Sequence, residues 1–172
     1  MANREALREL QARLAERLQQ ARGEVRSASW LAVESARLGF LLPLAGAGEI
    51  FNAGVVLPLP HTQPWFAGVA NLRGGLHGVV DLAVFLGLAA RPVRRETHLL
   101  VVLNPALGSQ CALLVQRLAG LRHAHQLQAE PADEGPRPEF AGPRWRDEQG
   151  RVWQEIDLAA LTRNEQFQAI AR

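Results

Sequence analysis

Between Gly68 and Leu82 the chain reads Gly-Val-Ala-Asn-Leu-Arg-Gly-Gly-Leu-His-Gly-Val-Val-Asp-Leu. An apolar run reaches Asn71-Leu72-Arg73, glycines follow at 74 and 75, and a second apolar run ends in Asp81-Leu82. Two short apolar runs joined by adjacent glycines read as a β-hairpin, because glycine supplies the positive φ of a tight turn. Gly74 and Gly75 are therefore turn residues. Asp81, directly before an apolar stretch closed by Gly87, reads as the N-cap of a short helix. Arg73 is the odd residue, a lone cation between apolar strands. Its simplest role is to hydrogen-bond its own loop; its alternative role is recognition.

The rest of the chain frames this hairpin. Residues 3–26 are rich in helix formers, with Leu7, Leu10, Leu14, Leu18, Ala21 and Val25 on one face at a 3.6-residue period. Residues 1–27 thus form an N-terminal amphipathic helix that packs on its own domain or on a partner. From Trp30 the pattern turns to β. A hairpin is expected around Ser35-Ala36-Arg37, and the glycines at 46 and 48 suggest a bulge or close backbone approach in the next strand. Residues 55–60, with Pro58 and Pro60, suit a sheet edge. Residues 61–68 read as a helical turn capped by Thr62. Apolar strands follow over 97–103 and 110–115, then 118–125. Residues 130–143, with four prolines, read as a loop. The strand pair around Trp145 and 152–156 ends in Asp157-Leu158, and Asp157 is a second N-cap. Two strands ending in Asp-Leu suggest two related halves, each a small barrel closed by a helix. The charged segment 91–96 is the expected boundary between these lobes, the main domain runs over 28–165, and 166–172 form a C-terminal tail.

Composition narrows the function. All 19 basic residues are Arg, and with 17 acidic residues the net charge is only +2. The pI of 9.8 therefore reports guanidinium buffering and not a strong positive field, which argues against nucleic acid as the main partner. An Arg-rich small barrel that binds nucleic acid or a ligand is the alternative reading. The single Cys111 sits in a strand-like run and reads as a buried apolar residue. No stretch approaches the roughly 18 apolar residues of a membrane span, so no membrane insertion is expected and the cytoplasm is the default location. His61, His77, His98, His123 and His125 are scattered. His123 and His125 would share one face of a strand, but no Cys, Asp or Glu stands at ligand spacing, so no metal is expected. No nucleophile–base set, phosphate loop or dinucleotide fingerprint is present. The chain reads as non-catalytic, without cofactors.

The order and spacing of Gly48-Glu49-Ile50, Leu57-Pro58-Leu59-Pro60, the run from Pro64 to Gly74, and Val79-Val80-Asp81-Leu82 resemble the CheW-like chemotaxis adaptor family. The resemblance spans about residues 29–161 and is similar to the adaptors of type IV pilus (twitching) chemosensory systems. It implies a mainly β fold of two five-stranded, SH3-like barrels. It also implies a signal-transduction adaptor that couples the cytoplasmic tip of a methyl-accepting chemoreceptor to the regulatory domain of a CheA-type histidine kinase. Such an adaptor is recruited to membrane-bound receptor arrays. By the family pattern Val69, Asn71, Leu72, Arg73 and Gly74 form the receptor-binding region, Arg73 matching the motif's arginine. Gly78 stands where the family commonly carries Pro, and Gln116 where it often carries Asp.

Overall fold

The computed structural model describes residues 28–91 and 97–171. The helix expected over 1–27 lies outside the described residues. Eleven strands form two curled antiparallel-dominated sheets. The first lobe holds β1 (Ser29–Ser35), β2 (Leu38–Pro43), β8 (Arg117–His123), β9 (Leu127–Ala129), β10 (Ala141–Asp147) and β11 (Val152–Ile156), in the order β8-β1-β2-β11-β10-β9. The second holds β3 (Ala47–Asn52), β4 (Phe66–Leu72), β5 (Gly75–Asp81), β6 (Leu99–Leu103) and β7 (Cys111–Val115), in the order β3-β6-β7-β5-β4.

The two orders are the same arrangement. In each, an antiparallel hairpin (β10-β11 or β4-β5) sets its second strand parallel to the next strand (β11 with β2, β5 with β7), which continues antiparallel through two more strands. The expected pair of related halves is thus present, with β9 as a sixth strand in the first lobe. The lobes are not successive halves of the chain, however. The strands on either side of 92–96 belong to one sheet, so the lobe boundary expected at 91–96 is not there. The chain crosses between lobes after β2 and after β7. A polar, Pro-containing connection does not tell an inter-lobe link from an intra-lobe one.

Both Asp-Leu signals act as read. Asp81 accepts a hydrogen bond from the Val84 amide at 3.1 Å and opens α1 (Leu82–Phe85). Asp157 accepts from the Ala160 amide at 2.9 Å and opens α2 (Leu158–Arg163). A third helix, α3 (Glu165–Gln168), is capped by Asn164. It buries Phe167, stacked on Trp65 at 6.3 Å and edge-on to Phe85 at 5.4 Å. Residues read as tail therefore carry core. Of the helical turn expected over 61–68 only one hydrogen-bonded turn remains, with the Phe66 amide 3.0 Å from Gln63 O: Phe66 already belongs to β4, and Thr62 bridges to Ala171 while the Gln63 amide bonds to Ile170 O. Pairing with the C-terminal segment supplies the backbone partners that a helix would have supplied.

Three apolar clusters result. One fills each barrel: Trp30, Ala32, Leu41, Leu127 and Trp153 in the first, and Val56, Ala70, Val79, Leu100 and Leu114 in the second. The largest lies between the lobes, where Val33, Phe40 and Leu42 meet Trp65, Val80, Val101 and Leu113 under the helices. The two barrels therefore share a core.

Candidate recognition site at the second-lobe hairpin

The β4–β5 turn consists of Arg73 and Gly74, at φ 50° and 81°. Positive φ at both positions matches the right-handed twist of the strands, and here a non-glycine residue holds one of them. Gly75 is not a turn residue: it is the first residue of β5, opposite Leu72. Two adjacent glycines in sequence do not say which two residues make the turn. The Asn71 side chain accepts from the Gly74 amide at 2.9 Å and closes the loop, which is the local bond that Asn residues favour.

Because Asn71 satisfies the turn, the Arg73 guanidinium reaches out of it. It contacts Glu49 on β3, with Nη1 3.2 Å from Oε1 and 3.0 Å from Oε2. Its Cζ lies 5.8 Å from the centre of the Phe51 ring, also on β3. β3 and β4 are the two edges of the second sheet, so the tip spans the opening of the curl. The pair is wet, with 73% of the Arg73 side chain and 54% of the Glu49 side chain exposed. Glu49 carries no signal of its own in the sequence beyond its place in Gly48-Glu49-Ile50; only the curl of the sheet brings residues 24 apart together.

Apolar side chains lie on both faces of the hairpin that carries Arg73. Leu72 packs at the margin of the second-lobe cluster and Val69 at the margin of the inter-lobe cluster. Cross-strand partners share a face, so Leu57, Val69, Gly78 and Cys111 form one row across the sheet. Val80 and Leu113 lie further along that same face, inside the inter-lobe core. The face continues outward through Leu76, and both Leu76 (62%) and Leu57 (59%) are exposed. Gly78 keeps this row flat, because a Cβ there would meet the Phe66 ring at 3.1 Å and Cys111 Sγ at 3.6 Å. Burial pushes the Cys111 thiol up, partly offset by a hydrogen bond with Ser109, so the thiol is the resting form at neutral pH.

Other charged side chains form networks within the first lobe. Glu34 takes two hydrogen bonds from Arg117, at 2.8 and 2.6 Å, and another from Arg151. The Arg117 bonds, with Arg151, hold its carboxyl below the usual value against burial. Asp147 accepts from Trp153 Nε1 and from the Gln149 and Arg151 amides; burial alone would raise its pKa, and these bonds lower it. The His123 and His125 rings stack at 5.8 Å, and His123 Nδ1 lies 3.0 Å from Ser29 Oγ. Among the described residues no three His, Cys, Asp or Glu side chains converge as metal ligands, and no helix is long and apolar enough to cross a membrane.

The described residues thus form a two-lobed β scaffold that presents a solvent-exposed guanidinium–carboxylate pair at the tip of one hairpin. Residues 29–166 match the family described as the CheW-like domain, and the chain belongs to that family. It is similar to Protein PilI of Pseudomonas aeruginosa, 34% identical over 84 residues. That alignment covers 49% of this chain and 46% of PilI, so the match spans about half the length of the curated relative. In fold it is similar to the scaffolding protein TtCheW from Thermoanaerobacter tengcongensis, with a TM-score of 0.64 at 16% identity, covering 76% of this chain and 89% of that one.

Proposed function

We propose that the protein is a non-catalytic chemosensory adaptor that couples the cytoplasmic tip of a methyl-accepting receptor to the regulatory domain of a CheA-type histidine kinase, in the control of type IV pilus twitching. The observation that carries this reading is the Arg73 tip. A chain of the CheW-like family, similar over about half its length to PilI, presents a guanidinium at a left-handed turn, and exposed Leu57 and Leu76 lie on one face of the sheet that the turn belongs to. Val69, Asn71, Leu72 and Gly74 set its position, and Arg73 makes the contact.

A receptor tip made of helices ends in backbone carbonyls without intrahelical partners. An arginine offers such carbonyls, or a carboxylate, several donors in a fixed fork. In the free chain these donors rest on Glu49 and on the Phe51 face. Exchanging an exposed ion pair for a receptor contact costs about 1 kcal/mol or less, and the exposed leucines of that face add buried area. Signal transmission needs no bond chemistry here. The adaptor stabilises one receptor–kinase arrangement over another by the difference in contact free energy.

The test is reconstitution of a soluble receptor-tip hairpin, the cognate kinase and the full chain. The expected result is a ternary complex and kinase activity that depends on the adaptor. Kinase activity indifferent to the chain, with no complex at micromolar concentration, overturns the proposal.

A further inference from the structure

We infer a second recognition site, a basic cleft at the junction of the lobes that takes an acidic, extended segment of a partner protein. The cleft encloses about 700 Å³ between the β1–β2 turn, the residues after α1, the start of β6 and the β7–β8 link. Arg37, Arg117, Gln116 and Leu88 line it, and Arg91 lines the small cavity that adjoins it through Ala89, His98 and Gln116. It lies at the Asp81 end of β5, whereas Arg73 precedes the Gly75 end. At roughly 3.3 Å per residue these ends are about 20 Å apart, so the two sites are separate.

Charge and backbone both single out Arg37. Glu34 is the acid of the larger cleft, and its carboxylate is shared between Arg117 and Arg151. Asp81 is occupied in capping α1. Arg37 and Arg91 are exposed and make no ion pair or hydrogen bond with the described residues, so among the described residues the cleft keeps a positive excess. The β1–β2 turn carries Ala36 and Arg37 at φ 49° and 65°, where glycine or asparagine would sit without strain. A residue held in a costly conformation, exposed and unpartnered, is the kind of strain that accumulates at binding positions. The form of the site favours peptide over phosphate polymer. Its arginines line one cleft, walled by Leu88, and the cavity that adjoins it, while a nucleic-acid backbone calls for a basic stripe. Carboxylates on an extended strand would meet the guanidinium groups, with Gln116 and Leu88 bounding the chain between them.

The test uses the full chain and fluorescein-labelled hexaglutamate, read by anisotropy at low salt. Hexathymidylate and phosphatidylglycerol vesicles serve as competing probes. Hexaglutamate should bind with an affinity that falls as salt rises. Arg37→Gly and Arg91→Gln should each weaken it by about 3- to 10-fold, while Arg163→Gln, an exposed arginine on α2, leaves it unchanged. Arg37→Gly should also raise the melting temperature, since glycine relieves the turn; affinity and stability then move in opposite directions, which a misfolded variant does not do. If Arg37→Gly proves unstable, Arg91→Gln alone decides. Absence of hexaglutamate binding, or an equal loss in Arg163→Gln, overturns the site. Tighter binding of hexathymidylate or vesicles that depends on Arg37 and Arg91 overturns the peptide assignment.

Discussion

Replacing Arg73 by glycine separates what the hairpin tip does for the fold from what it does for a partner. Four terms enter the stability. A non-glycine residue at φ 50° carries roughly 1 kcal/mol of strain that glycine removes. Against this, the Glu49 pair is lost; with both side chains more than half exposed it is worth about 1 kcal/mol at most. The Phe51 contact at 5.8 Å adds about 0.5 kcal/mol, and glycine loosens the unfolded chain by a similar amount. The sum lies within about 1.5 kcal/mol of zero, a melting shift of at most ~6 °C for a domain of this size. Binding behaves differently. Loss of one charge-assisted hydrogen bond to a receptor tip, about 1.5–3 kcal/mol, weakens association roughly 10- to 150-fold. Calorimetric titration of a receptor-tip hairpin into wild type and Arg73→Gly, with a thermal melt of each, measures both. Unchanged affinity in a folded variant refutes Arg73 as the coupling residue. A melting drop well beyond 6 °C would instead show that the tip holds the second barrel shut.

Other substitutions probe the scaffold. Gly68 sits in β4 at φ 131°, and a Cβ there would stand 2.1 Å from Leu57 O; Gly68→Ala should break the paired Leu57–Val69 hydrogen bonds and cost about 2–4 kcal/mol by denaturant titration, and a loss under 1 kcal/mol would contradict the pairing. Phe167→Ala should cost about 3–5 kcal/mol, because its ring is enclosed by Trp65 and Phe85; near-neutral stability would mean that the C-terminal segment is peripheral. The folded pKa of Glu34 is lowered from 4.5, first by its Arg117 hydrogen bonds. Its contribution is therefore full above about pH 4.5 and is lost as pH falls through the lowered folded value. Glu34→Gln should lower stability at pH 7 and flatten the acid limb of the stability curve; an unchanged acid limb would show that this carboxyl is not coupled to folding.

The local signals were legible because each is a bond between near neighbours. Asp81 and Asp157 cap the helices that follow them, and the 35–37 and 73–74 turns join the strands expected around them. What the sequence hid depends on distance along the chain. No periodicity shows that β2 pairs with β11 across more than a hundred residues, or that β5 lies parallel to β7. Those pairings decide that the middle of the chain forms one lobe while its two ends form the other. The same limit applies at the site. Arg73 is conspicuous as a lone cation, yet Glu49 and Phe51 join it only once the sheet has curled. The helical turn misread at 61–68 belongs to this class too, since its competitor, the segment around Ile170 and Ala171, lies a hundred residues away.

The repeated architecture bears on the proposed role of Arg73, because the two equivalent hairpin tips hold their arginines differently. β10–β11 stands in the first lobe where β4–β5 stands in the second. Both turns use an Asx side chain to accept a following amide, Asn71 from Gly74 and Asp147 from Gln149 and Arg151, and both contain a glycine at φ 81°. Both also present an arginine, but in different electrostatic settings. Arg151 packs on the Trp153 ring at 4.4 Å and pairs with Glu34, whose side chain is only 14% exposed. Withdrawing Arg151 would strip one of two cationic partners from a largely buried carboxylate, which is strongly unfavourable. Arg73 pairs with a carboxylate that water already solvates, and leaving it costs little. A recognition arginine has to be able to change partners, and of the two equivalent tips only the one over Glu49 permits the exchange without loosening its own barrel.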